Sequence, residues 1–479
     1  MDYSTLSMKE IIDLIQARKV TSSELVKFYF DRIKKFKGKN AVLEVFEDAL
    51  EIAKQKDKEA KTKKELPILH GVPILLKDNI AYENHKLSNA SRFMENYVSP
   101  FSATVTQKLV DAGAVIIGRT NMDEFAMGGS TENSAFGVTK NALDDTRVSG
   151  GSSGGSACAT ALGLCAISLG SDTGGSIRQP SSFNGTVGLK PTYGRVSRYG
   201  LVAFASSLDQ IGPIAKTTED VAILMNVIAG KDEKDQTSAN VAVPDFTKHL
   251  ADGITGKTFG IPTEILKLIK KTKYENKYSE LFKFLHDNGA KIKEVTIPHY
   301  EMSLPTYYIL APAEASSNLG KFDGIKFTKR EKEAYKLDEI LCGSRTNFFG
   351  PEVKRRIMLG NFVLSSGYFD AYYTKSKKIK SLLKQEVTDA FREIDAILMP
   401  TTFGEAFKIG EKSVDPVTMY AEDMFTIFAN LTECPAISVP FAKGENGLPL
   451  GLQILGKHFD EPTIIGFSNF IEKNFKEEA

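Results

Sequence analysis

The chain has 479 residues, 42% hydrophobic and 25% charged, which is ordinary globular composition and excludes a wholly disordered polymer. Sixty-one Lys and Arg against 60 Asp and Glu leave a net charge of +1, which argues against a strongly basic nucleic-acid binder. At roughly 150 residues per domain the length allows about three domains or one large α/β unit, and either buries enough core to need no disulfide or metal staple. The four cysteines, Cys158, Cys165, Cys342 and Cys434, form no C-x-x-C pair and match neither a zinc site nor a disulfide framework. Sparse thiols imply a reducing compartment. Met1-Asp2-Tyr3-Ser4 lacks the basic-then-apolar order of a signal peptide, and no apolar run approaches the roughly 18 residues of a membrane span, so a soluble cytoplasmic protein is expected.

Residues 1–65 read as a helical region. Ser7-Met8-Lys9-Glu10 and Thr21-Ser22-Ser23-Glu24 are capping-box patterns, each followed by apolar residues at helical spacing. Residues 51–64 are polar and Lys-rich, a solvated helix or a loop. Gly71–Leu76 is a buried strand that ends at Lys77-Asp78-Asn79; Thr104–Ala112 is helical; Ala114–Gly118 is a second buried strand. The alternation continues to about residue 230 and predicts a mostly parallel α/β sheet. Residues 231–395, richer in Lys and Glu, read as a mainly helical elaboration with one short strand at Thr258–Ile261 and a long helical region over 351–392. Residues 396–479 return to the sheet, with strands at Ala396–Pro400 and Ala436–Pro440. No Pro/Ser-rich linker separates these parts, and no internal repeat of fixed period is present.

Glycine totals 38, close to average, but eight of the 26 residues from Gly150 to Gly175 are Gly. Residues 149–156 are all Gly or Ser. A flexible linker is the plain explanation, but a linker separates domains, and here Ala157–Leu164 follows at once as an apolar segment. Glycines in such a place allow close backbone approach or aim N–H groups at an anion. A strand, Ile167–Leu169, then leads into a second Gly-rich turn that ends at Gly174-Gly175-Ser176. Two serines on two tight turns suit acyl transfer, with glycine amides pointing at a developing oxyanion. A serine needs a base. None of the six histidines sits in a His-triad motif, and the G-x-S-x-G elbow is absent. Lysine is the other candidate: Lys77 follows Ile74-Leu75-Leu76, where desolvation favours the neutral amine, although a strand-end lysine can also simply snorkel to water. The Gly-rich loop is also compatible with phosphate binding, but no G-x-x-x-x-G-K-[ST] ending is present.

Three segments together resemble the amidase signature family: Gly71–Asn79 with Lys77, Gly150–Ser156 with Ser152, and Gly170–Arg178 with Ser176. Residues 122–127, 130–134, 311–319 and 352–360 resemble the branch of that family that supplies the amidase component of tRNA-dependent amidotransferases. Gly129 stands where a serine is more usual and is expected to loosen the pocket loop; Ser149 replaces a common proline, and Thr432-Glu433 replaces small residues. The resemblance implies one large α/β domain over 1–479, with a mixed central β-sheet covered by helices on both faces and 66–230 as the catalytic core.

The resemblance also implies a mechanism. Ser176 is then the nucleophile, and Ser152, at a non-proline cis peptide, bridges it to Lys77; the N–H groups of Thr173, Gly174 and Gly175 form the oxyanion hole. Asp172 and Arg178 pair to hold the loop or form a generic ion pair. Glutamine binding falls to Tyr307, Arg356, Asp423, Met127 and Gly128; one of Arg355 and Arg356 is a plain surface residue, and Asp423 reads equally as a helix-surface acid. The implied activity is glutamine hydrolysis that feeds ammonia to conversion of Glu-tRNA(Gln) to Gln-tRNA(Gln), a carbon–nitrogen ligase reaction with glutamine as amido donor. The implied partners are B and C subunits in a heterotrimer, in which the B subunit holds tRNA, ATP and magnesium; this chain carries no cofactor and no metal. The Lys-rich stretches 267–277 and 375–384 read as solvated faces rather than tRNA contacts. The alternatives are a stand-alone amidase with the same triad and a non-catalytic scaffold.

Overall fold

Both chain ends contribute to one hydrophobic core, which runs from Tyr3 to Ile471 in a computed structural model that describes residues 1–412 and 415–475. Eleven strands form a single sheet: β1 (Val42–Val45), β2 (Pro73–Lys77), β3 (Val115–Thr120), β4 (Ile167–Asp172), β5 (Val187–Lys190), β6 (Gln210–Ala215), β7 (Thr258–Pro262), β8 (Lys291–Val295), β9 (Ala396–Pro400), β10 (Ala436–Lys443) and β11 (Pro449–Leu455). Their order is β1-β3-β2-β4-β6-β5-β10-β11-β9-β7-β8. Every residue of β2, β3, β4, β5, β6 and β9 is buried. Since successive side chains point to opposite faces, both faces of the middle of the sheet are covered, as the resemblance implied.

The sheet is mixed, not mostly parallel. β3, β2 and β4 are parallel to one another, as are β9, β7 and β8. The pairings that join these two blocks, and β1 on β3, are antiparallel. Antiparallel neighbours need only a short connection. β10 and β11 meet through a tight turn closed by Gly444 N–H on Leu448 O at 2.8 Å, and a strand–helix alternation read along the chain does not register such a return. β8, Lys-Ile-Lys-Glu-Val, lies at the sheet edge with mostly exposed side chains, so it carries no apolar signal. Residues 231–395 therefore supply two strands to the sheet as well as helices.

One of the two expected capping boxes is complete, and at the other only the Thr21 half forms. Ser7 accepts from Glu10 N and the Glu10 carboxylate accepts from Ser7 N, a complete capping box on the helix Met8–Gln16. Thr21 accepts from Glu24 N and caps Ser22–Lys35. The polar stretch after residue 48 is the helix Ala49–Thr62. The 351–392 region is two helices, Pro351–Leu364 and Lys375–Ala390, with a π-helical turn Phe369–Thr374 between them. Among the described residues no helix is long and apolar enough to cross a membrane.

One close approach sets the position of the first Gly/Ser loop. The helix Gly154–Ala161 begins against the end of β3, where Gly155 N–H donates to Asn121 O at 3.2 Å. A Cβ at Gly155 would overlap the Asn121 carbonyl and lie 2.6 Å from Ala41 O, both backbone atoms that cannot swing aside. Gly155→Ala is expected to destabilise the fold by about 1–3 kcal/mol, measured by urea denaturation. Gly38→Ala, at a position with nothing within 4 Å, should stay within about 0.5 kcal/mol of the parent.

Candidate active site

Lys77 is the last residue of β2 and is fully buried. It does not snorkel. Its Nζ donates to Ser152 Oγ at 2.7 Å, Ser153 Oγ at 2.9 Å, Ser171 Oγ at 3.0 Å and Ser171 O at 3.3 Å. Removal from water brings its pKa down to about 7, against the opposing pull of Asp123, Asp172 and Asp209. Asn79 Nδ2 also donates to Ser171 Oγ, at 2.9 Å, and the Ser153 hydroxyl donates to Ser171 O at 3.0 Å.

The loop over residues 149–156 folds onto this amine. Its Gly151–Ser152 peptide is cis, as the resemblance implied. A Cβ at Gly151 would overlap Asp123 Oδ2, so only glycine permits the carboxylate to sit against the loop. Asp123 in turn accepts from Thr131 N at 2.9 Å and Asn133 N at 3.1 Å, and burial pushes its pKa up to about 6. Gly151 N–H donates to Gln179 Oε1 at 2.9 Å, and Ser153 N–H donates to Ser176 O at 3.1 Å, so the two Gly-rich turns are stitched together.

The second turn is shaped by Asp172. Both it and Arg178 are fully buried, with Arg178 Nη2 on Asp172 Oδ1 at 2.9 Å and Nε on Oδ2 at 3.1 Å. Arg178 also donates to Thr426 O at 2.8 Å, to Asn430 Oδ1 at 2.6 Å and to Gln453. Burial alone would raise the Asp172 carboxyl, but the Arg178 charge and its hydrogen bonds hold it well below the usual carboxylate range. The pair is thus a loop-holding element rather than a generic surface pair. Asp172 Oδ1 accepts the Gly175 N–H at 2.9 Å and Oδ2 the Ile177 N–H at 3.0 Å. This corrects one expected oxyanion donor: Gly175 N–H is already held by Asp172. Among the described residues, the N–H groups of Thr173, Gly174 and Ser176 take no acceptor. The Thr173 hydroxyl donates to Asp209 Oδ1 at 2.6 Å, which fixes the start of the turn. Ser176 is 8% exposed, and its hydroxyl takes no hydrogen bond among the described residues, so the link from Ser152 to Ser176 is not closed directly.

The expected pocket residues gather beside this turn. A Cβ on Gly174 would lie 2.6 Å from the Tyr307 hydroxyl oxygen, so the Tyr307 phenol packs directly on the turn. Arg356 is buried and donates through Nε to Glu352 Oε1 at 2.7 Å, whereas the Arg355 side chain is 49% exposed; the inner arginine of the two is Arg356. Asp423 Oδ2 accepts from the Tyr308 hydroxyl at 2.6 Å, and burial pushes its pKa up to about 7. Asp423 is therefore a half-buried, hydrogen-bonded acid rather than one on an open helix surface. Met127 is buried, and Gly128 lines a cavity of about 250 Å³ with Ser130, Asn133, Arg355, Arg356 and Tyr420. At Gly129 a Cβ would lie 3.6 Å from Gln179 Nε2 and 3.7 Å from Asp423 Oδ1, ordinary contact that leaves room for a side chain. Its carbonyl accepts from Gln179 Nε2 at 2.8 Å, so the loop is tied rather than loose at this point. Ser149 donates to Gly154 O at 2.7 Å, and Glu433 pairs with Lys380 and Lys384.

Sequence reading missed Asp123, Asp209, Glu352, Tyr308 and Tyr420 as members of the site. The spacing of Glu352 and Arg356 at i and i+4 on one helix was an available signal; the others are brought in by tertiary packing. Arg178→Met leaves the Asp172 charge buried without its partner, and a loss of about 3–5 kcal/mol is expected in urea denaturation at neutral pH.

The amidase family model matches residues 24–465. The chain is 49% identical over 461 residues to the A subunit of the glutamyl-tRNA(Gln) amidotransferase of Sulfurihydrogenibium sp., covering 96% of this chain and 95% of that one. It is 50% identical to the protein of the same name from Persephonella marina, with the same coverage. Among solved structures, the A subunit of the glutamyl-tRNA(Gln) amidotransferase of Thermotoga maritima superposes with a TM-score of 0.82 at 42% identity, covering 99% of this chain and 96% of that chain. The peptide amidase of Stenotrophomonas maltophilia superposes with 0.81 at 27% identity, covering 99% and 98%. The buried lysine, the two joined serine loops and these full-length likenesses converge: the chain belongs to the amidase family.

Proposed function

We propose that this chain is the glutaminase subunit of a glutamyl-tRNA(Gln) amidotransferase, and that Lys77, Ser152 and Ser176 form its catalytic triad. The observation that carries the chemistry is the dry Lys77 amine 2.7 Å from Ser152 Oγ with a pKa of about 7. A neutral amine has two N–H donors and one lone pair. The Ser153 hydroxyl is committed to Ser171 O, so the Lys77 donors are directed at Ser153 and Ser171. The lone pair is then left to accept the Ser152 proton. Ser152 takes the Ser176 proton in turn, and Ser176 Oγ attacks the side-chain amide carbon of glutamine. The oxyanion rests on N–H groups of Thr173, Gly174 and Ser176. The proton returns along the same relay to the leaving nitrogen, the C–N bond breaks, and ammonia departs. Water, deprotonated by the same route, hydrolyses the glutamyl ester and restores Ser176.

Arg356 is the cation for the substrate α-carboxylate, Asp423 the anion for its α-ammonium, and Tyr307, Met127 and Gly128 form the wall. The relatives' names describe one component of an amidotransferase, which supports assembly with further subunits. We assign these as B and C subunits of a cytoplasmic heterotrimer, in which the B subunit holds tRNA, ATP and magnesium and receives the ammonia. The likeness to a peptide amidase at 27% identity keeps a stand-alone amidase as the second reading. Turnover of simple amides by the isolated chain, with none of glutamine, would establish it.

In the reconstituted complex, Ser176→Ala should lower glutamine-dependent amidation of Glu-tRNA(Gln) by on the order of 10⁴-fold or more while amidation from ammonium salts persists. Equal loss with both nitrogen donors would overturn the assignment. The pH profile follows from the base: the relay needs neutral Lys77, present above its pKa of about 7. Glutaminase kcat is expected to fall about tenfold per pH unit on the acid side of that value; a flat profile from pH 5 to 8 would reject Lys77 as base.

A further inference from the structure

The assigned cation and anion are held apart by groups that neither the triad nor the pocket wall accounts for. Tyr308, from the helix Ser303–Asn318, and Tyr420, from the helix Pro416–Ala421, stack with ring centroids 4.1 Å apart at 20°. Each hydroxyl donates to a different carboxylate: Tyr420 to Glu352 Oε1 at 2.8 Å and Tyr308 to Asp423 Oδ2 at 2.6 Å. The Arg356 guanidinium lies against the same two rings, 5.3 Å from Tyr420 and 5.6 Å from Tyr308, and is pinned through Nε to Glu352. Its terminal nitrogens take no acceptor among the described residues, and Asp423 Oδ1 receives no donor from them. The frame thus occupies one side of each charged group and leaves the other side for a ligand. The two helices that carry Tyr308 and Arg356 are fixed against each other, since a Cβ on Gly360 would overlap the Pro312 carbonyl.

We infer that Tyr308, Tyr420 and Glu352 are positioning residues that set the spacing between Arg356 and Asp423, and so select amides that carry both an α-carboxylate and an α-ammonium. This rests on the assignment of Arg356 and Asp423 as the two ends of the glutamine site. Tyr308 holds the Asp423 end and Glu352, with Tyr420, holds the Arg356 end. The charged or titratable groups that face Asp423 are Tyr308, Arg356, Glu422 and Asp172. Of these, the Tyr308 hydroxyl bonds to the carboxylate directly and favours its charged form.

The test is equilibrium binding by calorimetry in the assembled complex, with Ser176→Ala present to stop turnover. The probes are glutamine, glutaramate (which lacks the α-ammonium) and 4-aminobutyramide (which lacks the α-carboxylate). Tyr308→Phe keeps the ring and removes the hydroxyl. It should weaken glutamine and 4-aminobutyramide about tenfold and leave glutaramate unchanged, as expected for one lost charge-assisted hydrogen bond. Because its loss disfavours ionised Asp423, the acid-side weakening of glutamine binding should also set in at higher pH than in the parent. Glu352→Gln and Tyr420→Phe should instead weaken glutamine and glutaramate and spare 4-aminobutyramide. A uniform weakening of all three probes, or no change, would overturn the positioning role. If the parent itself fails to prefer glutamine over both analogues, the Arg356 and Asp423 assignment falls instead.

Discussion

A primary amine taken out of water at the end of β2 imposes the constraint that the surrounding structure meets. An ammonium is costly in a dry interior, and Lys77 titrates near neutrality for that reason. The site tolerates either protonation state because the amine is surrounded by hydroxyl and carbonyl oxygen rather than by carboxylates: Ser152, Ser153 and Ser171 are its partners. The acids that act on it electrostatically, Asp123, Asp172 and Asp209, are each engaged elsewhere, in bracing the 131–133 amides, the Gly175 turn and the Thr173 hydroxyl. The same carboxylates therefore shape the backbone and tune the Lys77 amine.

Around this amine the architecture is a problem of bringing two loops into register. β2 and β4 are parallel neighbours, so Lys77 and the turn after Asp172 emerge at the same end of the sheet. The 149–156 loop must then be inserted between them. Gly151 and Gly155 make this possible by leaving room for Asp123 and for the Asn121 carbonyl. The Asp172–Arg178 pair extends the network across the sheet, because Arg178 also engages Thr426, Asn430 and Gln453 from the last fifth of the chain. Residues from the C-terminal return to the sheet thereby hold a turn encoded more than 240 residues earlier.

The proposed pocket for the rest of the substrate follows a different logic. Its charged groups, Arg356 and Asp423, come from the second half of the chain and are oriented by aromatic rings and one extra carboxylate. Rigid aromatic surfaces hold a guanidinium with little entropy cost. The two serine loops and these charged groups are thus built by separate segments that meet at Gly174, where the Tyr307 phenol packs against the Ser176 turn.

The sequence by itself determined the chemistry-bearing parts. Eight glycines in 26 residues, two serine turns and a lysine after an apolar strand marked Lys77, Ser152 and Ser176 as candidates, and the order of these segments carried the family resemblance that implies their roles. Helix starts such as Ser7 and strands such as β2, β3 and β9 were legible because their local geometry follows from their own residues. Tertiary structure alone decided what depends on distant partners. The antiparallel joining of the two parallel blocks rests mostly on pairings between strands far apart in the chain, such as β5 with β10, and the polar edge strand β8 is recruited only by pairing with β7. Asp172 holds the Gly175 amide that was expected to serve as an oxyanion donor, and burial makes Arg356, not Arg355, the inner cation. Whether an acid or an arginine is a surface ornament or a buried instrument is set by which other elements pack over it, and a linear sequence does not state that directly.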